Sequence, residues 1–349
     1  MMSSYFVWPI QKINAARNKR IIRKVMESEV QPASIDIALD EEIWRIPFSF
    51  LPGANRKVMD VIGSQIMQTQ RLSHYDAHSP TAGAFLEHGS VYLAKAAVSL
   101  NLPANVDARA NPKSSSGRID LFTRVLVDGA TAFDTIPLGY EGDVYVEIAP
   151  RSFPVRMWRD TALGQLRFRE HPEVMPAVTR GREPVTIDLD PTDKPDGIVG
   201  YRVRRYAGVV DLGRRDHPIE DYWEPVRLNA SGGVTLEPEA FYIFMSKEAV
   251  SVSANDAAEL VAYDIGLGEM RCHYAGFIDP GFGITDGKVN GSRLVLEVRG
   301  HDVPFQLTDG QRVATLEYEP LMYTATTLYG EDINSNYQGQ GLKLSKHFR

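Results

Sequence analysis

A set of residues recurs in this chain at a fixed offset of 150, and that register constrains the fold more than any other feature. Leu86-Glu87 returns as Leu236-Glu237, Tyr92 as Tyr242, Ala104-Asn105 as Ala254-Asn255, Glu147 as Glu297, Pro154 as Pro304 and Leu166 as Leu316. Between these anchors the apolar pattern also agrees: Val144-Tyr145-Val146-Glu147-Ile148 lies over Leu294-Val295-Leu296-Glu297-Val298. Unrelated segments seldom hold such a register, so the 349 residues read as two copies of one β-rich unit. A segment present in only one copy then becomes a pointer to function.

Composition narrows the field. The length has room for two domains, each able to bury its own core. A net charge of −7 argues against a general nucleic-acid or membrane-surface role. The single cysteine, Cys272, excludes an intramolecular disulfide and a cysteine-rich zinc site. No run of 18 apolar residues suggests a membrane span. Tyr5-Phe6-Val7-Trp8-Pro9-Ile10 is too short for a signal-peptide core, so a reducing cytoplasm is the expected setting.

Residues 11–27 read as a helix, with Ile13, Ile21, Val25 and Met26 at roughly helical spacing and a basic outer face. Beyond Gln31-Pro32-Ala33-Ser34, short β-like runs are cut by Pro and Gly, as in an all-β protein. Residues 181–200 have a linker composition, three prolines and three glycines among many charges. The expected organisation is residues 1–180, a linker at 181–200, and residues 201–349.

Four segments could carry chemistry. Pro112-Lys113-Ser114-Ser115-Ser116-Gly117-Arg118 occurs only in the first half; the aligned Ala262-Tyr263-Asp264-Ile265-Gly266-Leu267-Gly268 has neither serines nor a cation. Small hydroxyl residues let a loop approach an anion, and Lys113 and Arg118 add cationic donors. A plain polar turn would have the same composition, and the spacing is not that of a Walker A loop. The glutamates Glu147 and Glu297 each sit late in an apolar strand; in strict alternation Glu147 shares a face with Tyr145 and Asp143, which fits either a solvated edge or a pocket carboxylate. Gly276-Phe277-Ile278-Asp279-Pro280-Gly281-Phe282-Gly283 could hold an aromatic ring over a sugar or base, with Asp279 as acceptor; its first-half relative runs from Phe133 to Gly142 and includes Tyr140. The tail from Tyr329 through Tyr337, Gln340 and Lys343 is polar, aromatic and Gly-punctuated, as in a frayed end or a lid over a ligand.

Together these segments resemble the dCTP deaminase family of the dUTPase-like superfamily, in its long, tandemly duplicated bacterial form. The order carries the likeness: Lys113-Ser114-Ser115 with Arg118, then Ile278-Asp279-Pro280-Gly281-Phe282, Leu296-Glu297, Gly310-Gln311 and Tyr337-Gln338-Gly339-Gln340. It implies two tandem distorted β-barrels of the β-clip or jelly-roll kind, with a short N-terminal helix, in a homo-oligomer whose sites lie between units.

The resemblance also implies roles. Lys113, Ser114 and Ser115 would contact phosphates. Arg118 with Ser114 would hold the attacking water and the charge developing at cytosine C4. Glu297 or Glu147 would be the general base, Phe282 or Tyr140 would face the deoxyribose, and Asp279 would line the pocket. Gln311 or Gln165, with Tyr329, Tyr337, Gln340 and Lys343, would close over the triphosphate. Lys113 stands where the family usually has arginine, losing the bidentate fork. Because the second half lacks the serines and the first lacks the tail, the expected site is composite, with Glu297 ranked above Glu147. The implied reaction is zinc-free hydrolytic deamination of dCTP to dUTP, with Mg2+ only as the triphosphate's counter-ion. A dUTP diphosphatase, a bifunctional enzyme and a non-catalytic nucleotide binder are the alternatives.

Overall fold

Alternating apolar residues in the strands that carry Glu147 and Glu297, and in their neighbours, are divided between separate cores, and that division organises the molecule. In the second half, Tyr242, Phe244, Leu294, Leu296 and Val298 point into their own barrel. Their neighbours Phe241, Ile243 and Val295 point the other way and join the core of the first half. In the first half, Tyr92, Ala94, Val144, Val146 and Ile148 fill the barrel, while Leu93, Leu126 and Tyr145 pack outward against Val58 and Ile62 of a short helix, Val58–Ile62. A period of two sends alternate side chains to opposite faces. Here both faces are covered. The computed structural model describes residues 5–79, 82–174, 181–262, 270–273, 276–331, 339 and 341–349.

The first barrel is one sheet in the order Leu121–Val127, Glu141–Pro150, Val91–Asn101, Ile35–Ile46, Ala162–Glu170, Val106–Pro112, Thr135–Ile136. Asp134 nearly closes it. In a left-handed conformation (φ 58°), its N–H donates to Val125 O at 2.8 Å and its carbonyl accepts from Ala110 N at 3.0 Å, joining opposite ends of the sheet. Among the described residues the second barrel has two larger sheets and two two-stranded ones. One larger sheet orders Arg182–Thr186, Arg312–Pro320, Asp256–Ala262 and Phe277–Ile278; the other orders Trp223–Val226, Gly200–Val203, Phe241–Val250, Ser292–Gly300 and Met270–His273.

Strand pairings repeat between the halves at the sequence offset. Glu147 pairs with Leu93, and Glu297 with Ile243. Val155 pairs with Leu86, and Phe305 with Leu236. Leu166 pairs with Ala110, and Leu316 with Leu260. The Tyr92 hydroxyl is 3.0 Å from Glu87 N and the Tyr242 hydroxyl 2.9 Å from Glu237 N.

Two sequence expectations are corrected here. The helix expected at 11–27 spans only Ile10–Asn18. Arg20 and Lys24 adopt left-handed φ, and Ile22–Arg23 pairs with Leu100 and Ser99 instead, which buries Ile22. The stretch 181–200 is not simply a linker. Arg182–Thr186 is a strand paired with Arg312–Pro320, and Val185, Ile187, Leu189 and Val199 are fully buried in the second core. Their apolar alternation is masked in sequence by the prolines and charges between them.

The chain then crosses back. Val210–Asp211 pairs in parallel with Val155–Met157 of the first barrel. The C-terminus follows the same route: His217 N donates to His347 O at 3.0 Å, and Arg349 N to His217 O at 2.9 Å. The Phe348 ring packs 5.3 Å from Tyr222, 5.6 Å from Trp223 and 6.2 Å from Phe153, centroid to centroid. The end of the tail is thus anchored, not frayed. Phe348→Ala should lower the free energy of unfolding by about 2–3 kcal/mol, somewhat under the cost for a fully buried phenylalanine. It should also expose residues 341–349 to limited proteolysis. An unchanged denaturant midpoint with an intact tail would contradict this.

Candidate active site

The serine segment folds as one tight turn. Pro112 ends its strand, Lys113 stays extended, and Ser114–Gly117 make a single helical turn. The N–H groups of Ser116 and Gly117 both donate to Lys113 O at 2.9 Å, and Arg118 N donates to Ser114 O at 3.0 Å. Small side chains let this turn bury Ser115, Ser116 and Gly117, and the chain leaves it with Arg118 only 3% exposed.

Glu297 meets that arginine from the other half. It lies in Ser292–Gly300, on the face that packs against the first barrel, and is 4% exposed. Arg118 Nε stands 3.8 Å from Glu297 Oε1, and Arg118 Nη1 donates to Lys343 O at 2.9 Å. Burial pushes the Glu297 carboxyl up to about 8, against the downward pull of Arg118. Such a carboxyl exchanges protons near neutral pH.

The Asp279 turn completes the wall. Gly281 has φ 92°, and a Cβ there would come within 2.6 Å of Leu328 Cβ and 2.8 Å of Tyr329 N, so only glycine fits. Tyr329 N donates to Pro280 O at 2.7 Å, and the Tyr329 ring lies 5.8 Å from that of Phe282. Asp279 is buried. Desolvation raises its pKa, Arg167 opposes the rise, and Asp36 adds to it.

These groups line one cavity of about 680 Å³. From the expected set it gathers Lys113, Ser114, Ser115, Arg118, Asp279, Phe282, Glu297 and Tyr329. Both halves of the chain contribute.

Several expected residues fall elsewhere. Gln311 lies at the turn before Arg312–Pro320, where its side chain caps Thr308 N at 3.3 Å; Gln165 lines the cavity instead and donates to Asp36 Oδ1 at 3.1 Å. Lys343 offers its carbonyl to Arg118 while its side chain is exposed, and Lys346 faces the cavity. Tyr140 is buried with its hydroxyl donating to Asp143 O at 2.6 Å, outside the cavity. Tyr337 and Gln340 lie outside the described residues, as does the second-half counterpart of the serine turn, residues 263–268.

Glu147, the register mate of Glu297, is also buried, but under its own cover. Ser49 Oγ donates to Glu147 Oε1 at 2.9 Å, beneath the segment that carries Val58 and Ile62. Burial raises its pKa, while Ser49 and Arg124 oppose the rise. At the Asp279 position of the turn the first half carries Pro137, aligning Ile136 with Ile278 and Tyr140 with Phe282. The solvated-edge reading of this strand is therefore corrected for both copies.

Sequence reasoning missed Asp36, Lys346 and Arg215. Lys113 forms an ion pair with Asp36. Lys346 and Arg215 bring further positive charge to the same wall of the cavity. Burial, with Lys113 and Arg215 nearby, lowers the Lys346 pKa to about 8. An anion would relieve that crowding. No local motif marks these residues, because they come from three separate segments.

A carboxyl poised near neutrality beside a guanidinium, in a cavity that admits small molecules, defines an acid–base enzyme built from two β-barrels. Residues 5–172 match the N-terminal domain, and residues 160–348 the C-terminal domain, of 2'-deoxycytidine 5'-triphosphate deaminase. The chain belongs to the dCTP deaminase family. Two similar proteins are named "dCTP deaminase, dUMP-forming". One, from Kocuria rhizophila, is 30% identical over 150 residues, covering 41% of this chain and 70% of the relative. The other, from Beutenbergia cavernae, is 31% identical over 143 residues, covering 41% and 67%. The crystal structure of 2'-deoxycytidine 5'-triphosphate deaminase from Agrobacterium tumefaciens superposes with a TM-score of 0.82 at 36% identity, over 93% of this chain and all of that one.

The raised pKa of Glu297 has a consequence for stability. A carboxyl whose folded pKa exceeds its unfolded value stabilises the fold while protonated in both states, and that contribution fades as pH rises from about 4.5 through about 8. Relative to wild type, Glu297→Gln should therefore gain melting temperature between pH 5 and about pH 8 and level off above it. A difference in melting temperature that does not vary with pH would show that Glu297 does not titrate in this window.

Proposed function

We propose that the chain hydrolyses dCTP to dUTP and ammonia at one composite site, with Glu297 as general base and no zinc. The observation that carries this reading is the buried Arg118–Glu297 pair, which joins the serine turn of one half to the Leu-Glu strand of the other. Glu297 takes the proton of a water that adds at cytosine C4 and returns it to the departing amine. Proton transfer of this kind is typically worth about 100- to 10,000-fold. Arg118 offsets the charge that develops as water adds. Lys113, Lys346 and Arg215, with Ser114 and Ser115, bind the triphosphate, and Mg2+ accompanies it as part of the substrate. Phe282 and Tyr329 pack against the sugar and base.

In this reading Glu147 is not catalytic, because the chain's own segment around Ser49 covers it. The repeated register supports descent from a duplicated unit in which each half kept different parts. We further propose that the protein is a cytoplasmic homo-oligomer, which light scattering on the purified chain would check.

Ammonia release from dCTP with Mg2+ is the deciding assay. Glu297→Gln should abolish turnover while retaining dCTP binding, and Glu147→Gln should keep kcat within about threefold of wild type. A dead Glu147→Gln variant beside an active Glu297→Gln would reverse the assignment. Stoichiometric zinc required for turnover would refute the metal-free chemistry. A second reading, formation of dUMP with pyrophosphate release, is favoured by the names of the two curated relatives; chromatography of the product distinguishes the two.

Lys346→Ala should raise KM for dCTP about tenfold, the loss expected for one charged hydrogen bond. It should change KM for dCMP much less. Equal effects on both nucleotides would remove Lys346 from the phosphate site.

A further inference from the structure

Arg167 is a fully buried cation that the proposed chemistry does not use. It comes from Ala162–Glu170 of the first barrel, yet its partners are all in the second. Nη1 donates to Ala258 O and to Glu319 Oε2, each at 2.8 Å. Nη2 donates to Ile278 O at 3.2 Å and approaches Asp279 Oδ1 at 3.5 Å. The guanidinium carbon lies 4.1 Å from the centre of the Phe277 ring. Glu319 is itself fixed by the Tyr5 hydroxyl at 2.6 Å. At the repeat offset the second half carries Glu317, so this arginine belongs to one copy only.

A buried guanidinium is costly unless its donors are met by carbonyls and carboxylates in good geometry. Here Nη1 and Nη2 are met in this way, while Nε has no hydrogen-bond partner among the described residues, and three of the residues the guanidinium holds, Phe277, Ile278 and Asp279, line the cavity. Arg167 thus reaches the pocket wall from behind, across the seam.

We propose that Arg167 is a positioning residue: it holds the Asp279 carboxylate, with Phe277 and Ile278, in the orientation that lets Asp279 accept a hydrogen bond from bound nucleotide. This rests on the reading of the cavity as the dCTP site. The electrostatics agree. Burial and Asp36 favour the neutral acid at Asp279; Arg167 is the strongest opposing influence, and Lys113 a weaker one. Weakening Arg167 therefore shifts Asp279 toward the protonated form, a donor where an acceptor is needed.

The test is the pH dependence of dCTP binding, measured by calorimetry on the full chain carrying Glu297→Gln, which prevents turnover and removes the titration of Glu297. Adding Arg167→Gln should weaken binding about tenfold at pH 7 and move the acid limb of the binding curve up by about one pH unit. Arg167→Lys, which keeps the charge but loses the fork, should restore the limb and most of the affinity. If Arg167→Gln does not fold, the Asp279→Asn background decides. There the residual affinity loss that Arg167→Lys causes beside Asp279 should vanish, whereas an undiminished loss would reduce Arg167 to a structural clamp. An unmoved acid limb in a folded Arg167→Gln protein would also overturn the inference. Wild-type protein assayed alongside separates the two proposals: if it neither binds nor deaminates dCTP, the functional reading fails first and takes this inference with it.

Discussion

The structure depends on burying an arginine of one half against a carboxyl of the other. Removing Arg118 and Glu297 from water costs several kcal/mol per ion, and at 3.8 Å their attraction offsets only part of that. Glu297 responds by holding its proton more tightly, up to about pH 8. The remaining cost falls on the surrounding fold. Around the pair, Phe241, Ile243 and Val295 of the second barrel extend the core of the first. Arg299 of the second half bonds Asp120 of the first, and Asn111 bonds Glu259. The apolar contact keeps water out, and the polar bridges keep the register in which Arg118 and Glu297 meet.

The outward face of a Leu-Glu strand needs a cover, and the halves supply different ones. Over Glu297 the cover is the first barrel with its serine turn, which leaves a cavity. Over Glu147 it is a segment of the same half, with Ser49 on the carboxylate and Val58 and Ile62 packed nearby. The same carboxylate at the same register thus faces a cavity in one copy and a packed surface in the other. The cover, not the register, sets what surrounds it.

Much of this was legible in sequence. The offset of 150 predicted the paired registers, and the serines found in only one half pointed to the seam, where a cavity lined by both halves lies. Where reading failed, the reasons are physical. The helix beyond Asn18 had a plausible period, but Ile22 gained more by pairing with a strand and entering the core. The stretch 181–200 had the composition of a linker, yet its buried residues alternate within it. Gln311 and Gln165 were equivalent by motif, and only the barrel brings Gln165 to Asp36. Lys346, Arg215 and Arg167 carry no local signal, because each acquires its role from residues distant in sequence.

The seam also has a genetic consequence. In an assembly whose sites lie between chains, mixing subunits damaged in different site residues rebuilds some intact sites. Here the serine turn and Glu297 face one another within a single polypeptide. With the proposed site, a chain lacking one could not borrow it from a neighbour that lacks the other, so two alleles with lesions on opposite sides of the seam would not complement.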